Sequence, residues 1–229
     1  MPHFTSRLAL FTPFAPLALA AAAALTPLAS HAVDGITDRP GDFLPTFAGS
    51  SASTDLDVVS ASVFYDAATD LFKLVSTMNG PIGLTGSTAL YVWGVNRGTG
   101  VASFAANGIE GVRFDRVVLL NPNSTGSVGG VGALPAGSVT ISGNTITAVV
   151  SGALLPANGF ANKLDYTWNL WPRNTAFTGF AAIADFAPDN SNFTSTPGIV
   201  AAPVPEPGAA AMLLAGLAVV GSLARRRRS

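Results

Sequence analysis

Five aspartates crowd the start of the chain's central body: Asp34, Asp38, Asp42, Asp55 and Asp57. The run Asp34-Gly35-Ile36-Thr37-Asp38-Arg39-Pro40-Gly41-Asp42 spaces its acids four apart within a turn-rich segment. Carboxylates and loop carbonyls are the hard oxygen donors that Ca²⁺ gathers in sets of roughly six to eight. The chemistry this segment could supply is structural calcium binding. The alternating acids and terminal glutamate of an EF-hand loop are missing, so no loop motif fixes the ligand set. A second reading stands beside the first: aspartate is favoured in turns and caps for its hydrogen bonds to nearby backbone, and needs no ion there.

Most other site chemistry is excluded by residue type. The chain has no cysteine, and its two histidines are His3 and His31, both inside an N-terminal segment that reads as removed on export. A mature chain without His or Cys has no Ser-His-Asp or Cys-His arrangement, no thiolate, and no ordinary zinc or haem ligation. A glycosidase needs two opposed carboxylates, one with a raised pKa. Glu110 is the central body's only glutamate and no aspartate pair stands out. The expectation is a protein that is not an enzyme and has no cofactor, structural Ca²⁺ being the one ion its residues could hold.

The aromatics offer one further site. Tyr91 and Trp93 share one strand face, Tyr166 and Trp168 share another, and Trp171 is out of phase, as at a sheet edge. Trp93, Trp168 and Trp171 form a candidate platform for pyranose rings. The alternative is core packing, since a sandwich of this size needs large side chains.

The elements that must position these groups read as strands. Period-two alternation runs through Asp57–Tyr65 and Leu71–Met78, joined by the turn Asp66-Ala67-Ala68-Thr69-Asp70. Leu90–Val95 and Phe114–Leu120 follow, then Val139–Ile141 and Thr145–Val150 about a Gly143-Asn144 turn, then Asp165–Leu170 ended by Trp171-Pro172. Asn121–Ser138 reads as a long surface loop. The expected class is all-β, an antiparallel β-sandwich.

Both ends of the chain carry address-like segments. Arg7, the apolar stretch Leu8–Leu28 and the small residues Ser30-His31-Ala32 make a secretory signal peptide cleaved after Ala32. At the other end Val204, Pro205, Glu206 and Pro207 precede an uncharged apolar run, Gly208–Ala224, and then Arg225, Arg226, Arg227 and Arg228. Those 17 apolar residues make roughly 25 Å of helix, the short end of a membrane span. The arginines form a cytoplasmic stop that leaves the body outside. The expected organisation is a signal peptide at 1–32, a sandwich ectodomain at 33–188, a linker at 189–203 and a sorting signal at 204–229. Without its labels the body has seven basic against twelve acidic residues, a charge near −5. That is unsuited to nucleic acid, which demands a basic face.

The tetrapeptide, apolar segment and arginine cluster together resemble the PEP-CTERM sorting signal of Gram-negative bacteria. The resemblance implies export, a transient inner-membrane anchor, and processing by an exosortase at Pro205-Glu206-Pro207. It also implies a surface or extracellular-matrix protein associated with exopolysaccharide and biofilm. The order Asp38…Gly41-Asp42…Asp55-Leu56 before a hairpin resembles the start of DOMON-like carbohydrate-binding sandwiches. That likeness implies the alternative function, a sugar-binding module stabilised by Ca²⁺.

Overall fold

Leu71–Met78 alternates half-buried and buried residues without a break, and Thr145–Ser151 does the same. Period-two patterning of this kind gives each strand one apolar face that must be covered. In the computed structural model, which describes residues 35–203, two six-stranded sheets cover each other. The first runs β1 (Ile36–Thr37), β2 (Val58–Asp66), β3 (Leu71–Met78), β9 (Thr145–Ser151), β8 (Val139–Ser142), with β12 (Thr196–Pro197) parallel to β2. The second runs β11 (Phe193–Thr194), β10 (Thr167–Asn174), β4 (Ala89–Asn96), β5 (Arg116–Leu120), β6 (Gly126–Val128), β7 (Gly132–Ala133). The other pairings are antiparallel. The described residues contain one-turn 3-10 segments and no α-helix, so none of their helices is long and apolar enough to cross a membrane. The all-β expectation is met. The segment expected as a signal peptide, with Ala32, and Asp34, the Val204–Pro207 tetrapeptide, the apolar segment and Arg225–Arg228 lie outside the described residues.

Aromatic rings join the sheets. Phe72 of β3 meets Trp168 of β10 edge-on at 5.4 Å between centroids and stacks near Tyr166 at 5.8 Å. Trp168 Nε1 donates to Ser195 Oγ at 2.9 Å, so its one polar atom is satisfied inside the core. Leu56, Val63, Leu74, Trp93, Leu120 and Ile146 complete the same cluster from both sheets. The β2–β3 turn closes as expected, with Asp66 Oδ1 accepting the Ala68 N–H at 2.9 Å.

Three expectations are corrected. The segment 121–138 is not one surface loop: it holds β6 and β7, which extend the second sheet beyond β5. The segment 189–203 is not a linker, because β11 pairs with β10 and β12 with β2. Val200 is buried, and its N–H donates to Asp66 Oδ2 at 3.1 Å. Strands of two residues carry too little alternation to be read from sequence. Finally, the strand after Asp165 does not stop at Trp171-Pro172 but continues to Asn174. Pro172 is tolerated because its backbone faces away from β4, toward residues 183–187. There its carbonyl accepts the Ala184 N–H at 2.9 Å and its missing N–H interrupts no ladder.

The second sheet is buried on both faces. Beneath β4 and β10 lies a second cluster, in which Trp171, Val92, Val112, Ile183 and Phe186 meet Phe104, Phe114 and Phe180. Gly94 makes room for it, since a Cβ there would overlap the Trp171 ring. The cover is built by the 104–114 and 180–186 segments, and the latter leads directly into the site.

Candidate metal centre at the entry of the sandwich

Asp38 follows β1, and its N–H donates to Val59 O at 2.8 Å. Val59 lies where the β2–β3 register slips, a bulge that re-aims the start of β2. The chain then turns at Pro40-Gly41. Gly41 takes φ +84°, open to glycine, and aims its N–H at Asp57 Oδ2, 2.8 Å away. Asn79 Nδ2 donates to the same oxygen at 2.8 Å. From the far end of the chain, Asp185 accepts the Val58 N–H on Oδ2 at 2.9 Å and the Phe186 N–H on Oδ1 at 2.7 Å. The Leu44 N–H, donating to Ala184 O at 2.8 Å, holds the entry segment beside the 184–189 segment.

This arrangement brings five carboxylates together. Asp38, Asp42 and Asp189 each place an oxygen within 4.8 Å of the others, and so do Asp42, Asp57 and Asp185. Asp42 belongs to both triads. Asp57 and Asp185 are buried, Asp38 and Asp42 half-buried, and Asp189 exposed at the mouth. Among the described residues the ion pairs are Arg97–Asp115 and Lys163–Asp70, and neither touches this group. Asp38 Oδ2, Asp42 Oδ1 and Asp57 Oδ1 are buried with no hydrogen-bond partner.

Electrostatics follows from crowding. Burial pushes the Asp185 carboxyl up to about 8, against the Val58 N–H bond and with Asp38 and Asp42 adding to the rise. Burial also lifts Asp38, to about 7, with Asp42, Asp189 and Asp57 contributing. Asp42 is raised as well, first by burial and then by Asp189 and Asp57. Like charges in a low-dielectric site disfavour joint ionisation, so the group needs protons or a cation.

Asp38, Asp42 and Asp57 stand out in the sequence, whereas Asp185 and Asp189 join the site without standing out. A signal was present: Asp185-Phe186-Ala187-Pro188-Asp189 repeats the four-residue spacing of Asp34, Asp38 and Asp42 in a segment with proline. Asp55 is a correction. It is buried elsewhere, where it accepts the Thr85 N–H at 2.9 Å and the Thr85 hydroxyl, and it lies 3.5 Å from the Tyr91 hydroxyl. It braces a one-turn helix (Thr54–Leu56) against the 85 turn, the turn-and-cap role open to any aspartate.

The sugar platform is a second correction. Trp93 and Trp168 are 0 % exposed and Trp171 is 3 % exposed, so none offers a ring face to a ligand. Trp171 points to the outer side of its sheet as its phase required, but the phenylalanine cluster covers that side. Among the described residues the exposed large apolar side chains, Leu84, Val101, Val131 and Ile199, include no aromatic.

No curated protein and no solved structure is significantly similar to this chain. A family model for the PEP-CTERM protein-sorting motif matches residues 203–228, beginning three residues after the buried Val200. The motif implies export, membrane-associated sorting and exosortase processing. An all-β body of two packed sheets thus leads directly into a C-terminal address, and the chain carries the PEP-CTERM protein-sorting motif.

Proposed function

We propose that this is a non-catalytic surface or extracellular-matrix protein. Its sandwich is exported behind the 1–32 signal peptide and anchored in the inner membrane by the 208–224 segment. An exosortase then processes it at Val204-Pro205-Glu206-Pro207, and the released protein associates with exopolysaccharide. The single observation that carries this reading is the sorting motif matched at residues 203–228, which begins three residues after the buried Val200.

The side chains of the body support a passive role. Asp185 has the raised pKa of a general acid, but it is 1 % exposed and both its oxygens accept backbone N–H groups, so it has no path to a substrate. Arg97 is engaged by Asp115 at 2.7 Å and by Pro156 O at 2.9 Å. Lys163 is engaged by Asp70 at 2.7 Å and by Gly152 O at 2.9 Å. These contacts fasten loops to sheet ends.

Glu206 is the motif's only charge before the arginine cluster. In a host with a matching exosortase, the unmodified chain is expected outside the inner membrane, co-purifying with exopolysaccharide. Glu206→Ala is expected to accumulate in the inner membrane at precursor mass. Identical fractionation of the two chains would sink the reading.

A further inference from the structure

We infer that Asp42, Asp57 and Asp185, with Asp38 and Asp189 at the mouth, form a Ca²⁺ site that clasps the two ends of the sandwich together. The geometry fits the ion. Two oxygens on opposite sides of a Ca²⁺, each at ~2.4 Å, stand about 4.8 Å apart, and the oxygens within each triad fall inside that distance. The donor set is all carboxylate, the choice of a hard cation. Asp57 carries the argument beyond a mere crowd of acids. It is 0 % exposed, its Oδ2 is held by Gly41 and Asn79, and its Oδ1 has no partner. Asp38 Oδ2 and Asp42 Oδ1 are buried and unpartnered beside it. Orphaned buried oxygens are costly, and one cation satisfies several of them at once.

The ligands explain what the ion would do. They come from the entry segment, the start of β2 and the 185–189 segment, and 127 residues separate Val58 from Asp185. Closing so long a loop costs chain entropy, and a shared ion supplies the compensating bond. Ca²⁺ is favoured over Mg²⁺, which demands near-octahedral geometry and retains its waters.

The test uses the full chain purified in detergent at pH 7.5, titrated with CaCl₂ and compared with EDTA by thermal unfolding and hydrogen exchange. The expected result is saturable binding with Tm raised about 5–10 °C when Ca²⁺ exceeds Kd about a hundredfold. Faster exchange in EDTA is expected to centre on 38–44 and 184–189. Asp42→Asn keeps the side chain's shape and removes one charge. It is expected to weaken Ca²⁺ binding at least about tenfold, as loss of a charged ligand does. In EDTA it should be as stable as the unmodified chain or more so, because a repulsion is gone. A purely structural aspartate would instead lose stability equally with and without Ca²⁺, and that outcome would overturn the proposal. So would identical Tm values in Ca²⁺ and EDTA with no binding heat.

Discussion

In EDTA, raising the pH from 5 to 9 is expected to lower the Tm of the protein by on the order of 10 °C. Asp185 and Asp38 hold their protons up to about 8 and about 7 in the folded chain, against an ordinary value of 3.8. The folded state therefore binds more protons than the unfolded state between those limits, and stability falls as pH rises through the window. The contribution is full below the ordinary carboxylate range and is lost once the pH passes about 8. Asp185 supplies most of the effect, because Asp38 is half-exposed and solvent screens its share. The sum is on the order of a few kcal/mol, and each kcal/mol moves Tm by roughly 2–4 °C in a domain of this size. Asp38→Asn should flatten the slope by removing one titrating group and one neighbour of Asp185. Thermal unfolding at fixed ionic strength across this range measures the effect, and a flat profile in EDTA would contradict the crowding described above. Saturating Ca²⁺ should also flatten the profile, since a cation replaces the protons.

Trp168→Ala is expected to cost about 3–5 kcal/mol, the range for emptying a large aromatic site in a core. Trp168 is fully buried, packs edge-on against Phe72 across the sheet interface, and donates to Ser195 Oγ at 2.9 Å. Removing it opens a cavity between the sheets and takes one of two hydrogen bonds from the Ser195 hydroxyl, which keeps its bond to Tyr166 O. Trp168→Phe should cost less, because the ring–ring contact survives while the hydrogen bond does not. Ile199→Ala, at a side chain 97 % exposed, should stay within about 0.5 kcal/mol. Urea unfolding of the three variants checks the order. A Trp168→Ala cost near that of Ile199→Ala would refute the core assignment of this tryptophan.

The parts of this fold that sequence reveals are those where local pattern and tertiary role agree. β3 alternates over all eight of its residues and β2 over Ser60–Tyr65, around the acid-bounded turn Asp66–Asp70, so strand, face and turn follow from residue order there. β11 and β12 hold two residues each and owe their existence to partners far along the chain. Trp171 shows a different boundary. Its phase gives the side of the sheet it occupies, but only the packing of Phe104, Phe114, Phe180 and Phe186 decides that this side is interior. The site divides in the same way. Asp38, Asp42 and Asp57 cluster in sequence before they cluster in space, whereas Asp185 joins them only through closure of the whole sandwich.

If the sandwich is cargo for a sorting system, as proposed, intact mass spectrometry of the chain recovered from the cell exterior will show both ends trimmed. The predicted species begins at Val33 and ends at or near Val204-Pro205-Glu206-Pro207, having lost the apolar segment and the four arginines. A species that still carries residues 1–32 and Arg225–Arg228, recovered from the cytoplasm, would contradict it.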